Sequence, residues 1–367
     1  MANKAKALYV HIPFCNHICA YCDFVRVGYH QDLADRYLVR LIKELQQYEG
    51  YIFDSIYIGG GTPSALNEHQ LDFLLSSLTK FRSNQCEFTM EANPESLTIE
   101  KIEIAHHYGV NRISLGVQAI QPHLLQVITR KHQTQDVLEV LKHCRRWGID
   151  NISIDAIYGL PFQSLEDFRE TCQWIIDTQV PHVSLYALTI EENTLFKKQN
   201  VLPVSIDLEE KFYQLAIDLF TQAGFHHYEI SNFAQVGQES IHNSTYWQYK
   251  PYAAIGLGAV GMENHVRYTH TANIHTYCTS DDIIKDQVIL DQKDEMFEYV
   301  MMGLRLSTGI NKQHFFQRFN QNIEQVFPNA IARHIKKGWL LSNDTHLLAS
   351  GQGWRVLHDI LVDFLPD

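Results

Sequence analysis

The chain lacks several things that large classes of protein need. No apolar run approaches the roughly 18 residues that cross a bilayer as a helix. The longest candidate, residues 252–262, is short and broken by three glycines. No secretory leader is read near the start, where Lys4 and Lys6 stand with no apolar stretch behind them; the expected location is the cytoplasm. Positive charge is in deficit: 30 Lys and Arg face 42 Asp and Glu, a formal net charge of −12. A general nucleic-acid binder needs a basic face to neutralise phosphates, so nucleic acid is not an expected partner. Internal repeats and low-complexity tracts are missing too. The seven cysteines do not form a disulfide framework. Cys86, Cys144, Cys172 and Cys278 are scattered, and the other three crowd together near the start. That usage fits a reducing compartment.

What is present reads as a soluble α/β protein of ordinary composition, 45% hydrophobic and 20% charged. Its length suggests one large domain plus a smaller one. Short apolar runs at 8–12, 55–58, 87–90, 112–115, 152–157 and 183–188 read as strands. Helical periodicity separates them, as in Leu33, Tyr37, Leu38, Leu41, Ile42 and Leu45, or Val137, Val140, Leu141 and Cys144 ahead of Gly148. Six strand-then-helix units predict a parallel sheet with helical crossovers. An open doubly wound sheet and a partial barrel both satisfy this pattern, and in both the ligands gather at the C-terminal strand ends. Near residue 231 the texture changes to aromatics and glycine. From Asp294 short helices, a hairpin around Asn343 and Asp344 and a last helix are expected, a tail similar in pattern to a winged helix. Gly256, Gly258 and Gly261 fit a G-x-G-x-x-G dinucleotide pattern. Pro251 argues against the central strand that this fingerprint needs, so the segment is expected as a turn closing over the cofactor pocket.

The cysteine trio is Cys15, Cys19 and Cys22, spaced C-x-x-x-C-x-x-C directly after the first strand. Thiolates are soft ligands that suit an iron–sulfur cluster or zinc. Three of them leave one corner of a cubane without a protein ligand. Zinc would want a fourth ligand, for which His11 and His17 are at hand. Polar residues follow the later strands: Gly59-Gly60-Gly61-Thr62-Pro63 after the second, Glu91 after the third, Gln118 after the fourth with Arg130 beyond it, Asp155 in the fifth and Ala187 at the end of the sixth. Taken singly, each reads as a turn or a solvated loop residue. Together they ring one mouth.

The cysteine spacing, with an aromatic at Tyr21, resembles the radical S-adenosylmethionine (SAM) superfamily. The ring of strand-end residues is similar to its coproporphyrinogen III oxidase-like (HemN-like) branch. The resemblance implies a partial (β/α)6 TIM-like radical SAM barrel with a smaller, mainly helical C-terminal domain. It implies a radical SAM core over 1–230, an aromatic and glycine-rich segment over 231–285, and a HemN-like domain over 286–367. It further implies one [4Fe–4S] cluster on Cys15, Cys19 and Cys22, with SAM on its open iron. Tyr9, Tyr21, Gly60, Gly61, Thr62, Glu91, Gln118, Arg130, Asp155 and Ala187 then stand where that family contacts SAM. Within the branch, the oxidase carries a further cysteine where this chain has Phe24, and a long arm ahead of its cluster. His242-Asn-Ser-Thr-Tyr246-Trp247 instead resembles the HNxxYW pattern of the HemW-type heme chaperones. That resemblance implies heme as a ligand, with His242 as its contact, and a heme-accepting respiratory protein as partner. It also implies an electron donor for the cluster, and membrane contact only through the acceptor. Two functional readings stay open. One is a heme chaperone in which SAM is not necessarily turned over. The other is an oxygen-independent coproporphyrinogen III oxidase or another tetrapyrrole-acting enzyme that cleaves SAM to a radical.

Overall fold

A computed structural model describes residues 4–366. Residues 1–3, read above with the start of the chain, and residue 367 lie outside that range. Six parallel strands form the centre: β1 (Ala7–Ile12), β2 (Phe53–Gly60), β3 (Arg82–Ala92), β4 (Arg112–Gln118), β5 (Asn151–Tyr158) and β6 (His182–Ala187). Each pairs in parallel with the one before it. The sheet therefore grows in one direction with no reversal, whereas a doubly wound sheet reverses at its switch point. This is the winding of a partial (β/α)6 barrel.

The helices between the strands start and stop where local chemistry requires. Asn67 and Gln70 form a capping box ahead of Glu68–Thr79, and Ser164 and Asp167 do the same for Leu165–Asp177. Gly148 and Gly224 follow the helices Thr134–Arg146 and Ile206–Gln222 with φ of 76° and 89°, a conformation that only glycine adopts without cost. Along β5 the side chains alternate. Ile152, Ile154 and Ala156 join the apolar core shared with the helices. Ser153 and Asp155, on the opposite face, join a polar layer inside the barrel with Ser114, His182 and Ser184.

The sheet continues beyond the six. Next to β6 lie Asn232–Ala234 and His226–Glu229; next to β1 lie Tyr252–Ile255, Val260–Glu263, Val266–His270 and Ile284–Ile289. Pro251 therefore does not prevent a strand; it stands just ahead of one, where no ladder N–H is needed. After Gly256 and Gly258 comes an antiparallel return strand and no helix, so the βαβ unit of a dinucleotide site is not built. A second apolar core runs from Met296 to Phe364. It joins short helices to a three-stranded sheet whose hairpin, Leu340–Ser342 with His346–Ala349, turns at Asn343 and Asp344.

Candidate cofactor site

The cysteine loop is fixed at both ends and in the middle. After β2, the amides of Gly61 and Thr62 donate to the carbonyls of Ile12 and Phe14, both at 2.8 Å. Phe14–Cys15 pairs in parallel with Val27–Gly28, which closes the loop. Halfway along, the buried Ala20 donates to the Ile128 carbonyl at 3.3 Å and accepts from the Phe196 amide at 3.1 Å. The loop needs bare backbone beside it. A Cβ on Gly61 would lie 2.7 Å from the Pro13 carbonyl and 3.0 Å from Cys15 Sγ; one on Gly60, at φ 113°, would meet the His11 ring at 2.5 Å.

A cavity of about 380 Å3 opens at the C-terminal strand ends. Cys15, Cys19 and Cys22 line it together with Tyr21, Gly60, Gly61, Thr62, Glu91, Gln118, Arg130, Asp155 and Ala187. The ring read from the sequence is therefore brought to one mouth. Thr62 Oγ1 donates to Cys15 Sγ at 3.5 Å, and Arg130 reaches Cys19 Sγ at 3.9 Å. Burial pushes the Cys15 thiol up and that of Cys22 to about 11; a bound metal would hold both as thiolates. Among the described residues, no three His, Cys, Asp or Glu side chains gather closely enough to hold a single ion. The zinc alternative has no compact site, whereas a cubane spreads its three thiolates over separate corners.

Two carboxylates face the same space. Glu91 accepts from Tyr57 Oη at 2.7 Å and the Gly60 amide at 3.0 Å; burial pushes it up to about 7 in spite of the Tyr57 bond, and Asp155 adds to the rise. Asp155 accepts from Ser114 Oγ at 2.8 and 3.0 Å, and burial raises it too. Gln118 closes β4 with φ 70°, a left-handed conformation at a register shift in the strand. Such strain in a non-glycine residue collects at ligand sites. Arg130 is buried, donates to the Gly116 carbonyl, lies 3.9 Å from Glu95, and among the described residues keeps Nε without a partner. Soft thiols, a glycine cradle, two desolvated carboxylates and an incompletely paired guanidinium fit an iron–sulfur cluster beside an amino-acid cofactor.

Two expected residues are placed elsewhere. Tyr9 lines a neighbouring cavity, with its hydroxyl 3.0 Å from His11 Nδ1. His242 reaches neither cavity. It is 1% exposed, its Nδ1 is 3.0 Å from Ser55 Oγ, its Nε2 is 2.7 Å from Tyr246 Oη, and it stacks on Tyr57. With both nitrogens occupied, the imidazole has no lone pair to offer iron in this conformation. The Gly256–Gly261 turn is displaced likewise: Gly258, Ala259 and Val260 border the neighbouring cavity. The sequence reading also missed Tyr57, Asn93 and Arg26, all in the cofactor cavity. Period-two alternation from Glu91 to Asn93 could have found Asn93. Arg26 carried no such signal.

A six-stranded parallel winding with three thiols on a loop across its mouth defines a radical SAM protein. Comparisons with known proteins agree. The model of the radical SAM superfamily matches residues 9–175, and that of the HemN C-terminal domain matches residues 290–356. A curated heme chaperone HemW of Lactococcus lactis is 35% identical, with 100% of this chain and 99% of that protein covered. One of Bacillus subtilis is 32% identical, with 99% and 100% covered. A mouse relative named radical S-adenosyl methionine domain-containing protein 1, mitochondrial, is 33% identical over 100% of this chain and 88% of its own length. Among solved structures, coproporphyrinogen III oxidase (HemN) of Escherichia coli shares the fold: TM-score 0.86, 21% identity, 98% of this chain and 89% of that chain covered. The chain belongs to the HemW family of the radical SAM superfamily, and that superfamily implies a [4Fe–4S] cluster and SAM.

Proposed function

We propose that this protein binds heme and passes it to a heme-accepting respiratory protein, and that it holds one [4Fe–4S] cluster on Cys15, Cys19 and Cys22 with SAM beside it. The observation that carries the reading is the end-to-end correspondence with relatives named heme chaperones, three of them above 30% identity with at least 98% of both chains covered. Bound together and reduced by a donor, cluster and SAM supply one-electron chemistry. The chain's own residues would bind and orient. Glu91 would accept from the SAM amino group, Asp155 from ribose hydroxyls, and Arg130 would offer a fork to the carboxylate. Tyr21 would wall the pocket, and Gly60, Gly61 and Thr62 would give it backbone access. No helix among the described residues is long and apolar enough to cross a membrane; the proposed location is the cytoplasm, with membrane contact made through the acceptor. The working division is 1–230 for the core, 231–285 for the aromatic segment and 286–367 for the C-terminal domain.

The experiment is anaerobic reconstitution followed by hemin titration. About four irons per chain and a saturable heme absorbance are expected. A protein that takes up iron and sulfide but no hemin would remove the chaperone reading. Conversion of coproporphyrinogen III to protoporphyrinogen with SAM and a reductant would replace that reading with the oxidase.

A further inference from the structure

The three thiols of the cluster loop do not share one environment. Cys15 Sγ accepts from the neutral Thr62 hydroxyl, and Cys22 has the uncharged Phe24 backbone beside it. Cys19 Sγ instead accepts from the Arg130 guanidinium, with Nη1 at 3.9 Å. Among the described residues this is the one contact at hydrogen-bond range between a full charge and a cluster thiol. Arg26 acts on Cys15 and Cys22 from further away, and its guanidinium donates to the Phe24 carbonyl at the surface. Water and salt screen a charge placed there.

Arg130 is held in this position. Its side chain is 4% exposed, its Nη2 donates to the Gly116 carbonyl of β4, and its amide donates to the Leu125 carbonyl at 2.8 Å. A carboxylate stands behind it. Glu95, in the loop after β3, lies 3.9 Å from Arg130 Nη2 and 3.7 Å from His132 Nδ1. Burial first, then the Arg130 charge, hold His132 down to about 4. Its ring is therefore neutral near pH 7, which leaves Arg130 as the cation on Glu95. The side chains thus run in a row from thiol to guanidinium to carboxylate, with Arg130 shielded from water in the middle.

We propose that Arg130 and Glu95 set the reduction potential of the cluster from opposite sides: the guanidinium on Cys19 Sγ favours the reduced cluster, and the carboxylate behind it weakens that pull. The inference rests on the cluster reading above and adds the groups that tune it. Reduction places one more negative charge on the cluster and its thiolates. A donor on a ligating sulfur stabilises that charge, and hydrogen bonds and net charge around the sulfurs are levers by which proteins move such potentials. In a site shielded from water the effect is only weakly screened. Arg130 thereby acts toward the cluster in addition to offering its fork to a carboxylate.

The test is a potentiometric titration of the anaerobically reconstituted full chain without SAM, followed by the electron paramagnetic resonance signal of the reduced cluster. One electron passes from dithionite through mediator dyes to the cluster, and no bond is made or broken. Arg130→Met should make reduction about tenfold less favourable, a midpoint about 59 mV lower. Arg130→Lys keeps the charge and should lower the midpoint by less. Glu95→Gln should raise it. Lys131→Gln removes a neighbouring but exposed charge and should stay at the wild-type value. If Arg130→Met holds no cluster, Arg130→Lys and Glu95→Gln still test the two opposite signs. A wild-type midpoint at either position, shifts of one sign at both, or an equal shift in Lys131→Gln would overturn the tuning role and leave the cluster reading standing. A wild-type chain that takes up no iron and sulfide is a separate result, and it removes the cluster reading itself.

Discussion

Replacing Gly61 by alanine should damage the cysteine loop at its root. The added Cβ would sit 2.7 Å from both the carbonyl carbon and oxygen of Pro13 and 3.0 Å from Cys15 Sγ. Ordinary contacts between heavy atoms begin near about 3.5 Å, so roughly 0.5–0.8 Å of movement is needed. The obstacle is backbone, and that backbone is held from two sides: Pro13 O accepts from the Val27 amide at 2.8 Å, and Ile12 O accepts from Gly61 itself. A rotamer change cannot relieve the contact. Overpacking of this kind costs about 1–3 kcal/mol. The internal control is Gly28→Ala, on the partner strand of Cys15. Among the described residues no heavy atom outside its immediate neighbours lies within 4 Å of a Cβ there, and its φ is not left-handed. That change should be neutral or stabilise by about 0.4–1 kcal/mol through the unfolded chain. Calorimetry of the cluster-free proteins and iron and sulfide content after anaerobic reconstitution read both effects. Gly61→Ala should melt lower and load less iron. If it melts and loads like wild type, the argument that the cluster loop needs a bare backbone at this point is wrong.

Cys15→Ser, Cys19→Ser and Cys22→Ser should each abolish a stable cluster. Cys144→Ser and Cys172→Ser, buried in the helical core, should lower stability and leave iron content intact. Glu91 is raised from 4.5 to about 7 by burial, so its contribution to the stability of the cofactor-free protein is full below pH 4.5 and is lost as pH rises through about 7. Glu91→Gln should remove that slope, worth about 3 kcal/mol over the window by the unit conversion. Chemical denaturation of both proteins from pH 5 to 8 (about three steps suffice) should show the gap widening in favour of the glutamine; a constant gap would refute it. His242→Ala loses the Ser55 and Tyr246 bonds and the Tyr57 stack, which should cost about 2–4 kcal/mol. The heme absorbance band should keep its wild-type shape; an altered shape would place the imidazole on iron.

Much of the cofactor site was legible because its signals are local. Each of Gly60, Glu91, Gln118, Asp155 and Ala187 lies in or at the end of its own strand, and a parallel winding carries all such ends to one mouth. What was not legible depends on which face of a strand a side chain takes and on what packs behind it. Tyr9 sits in β1 next to Leu8 and Val10, yet it faces the neighbouring cavity, bounded by strands from more than 240 residues further along. His242 reads as an available imidazole until Glu87 is seen to accept the amides of Ile241 and His242 at the helix start, which docks the short helix into the barrel interior and buries the ring.

By itself, the sequence determined the alternation of strands and helices, the thiol spacing and the glycines beside it, because periodicity, ligand chemistry and left-handed backbone are properties of neighbouring residues. Tertiary structure alone decided that the Gly256–Gly261 turn and Tyr9 line a different cavity, that His242 bonds Tyr246, and that the helix Gln292–Gly303 brings Glu298 and Met302 to that same cavity. Those outcomes follow from pairing β1 with Tyr252–Ile255 across the length of the core. No local preference encodes a contact of that range; it forms because closing the sheet buries the apolar surface on both of its sides.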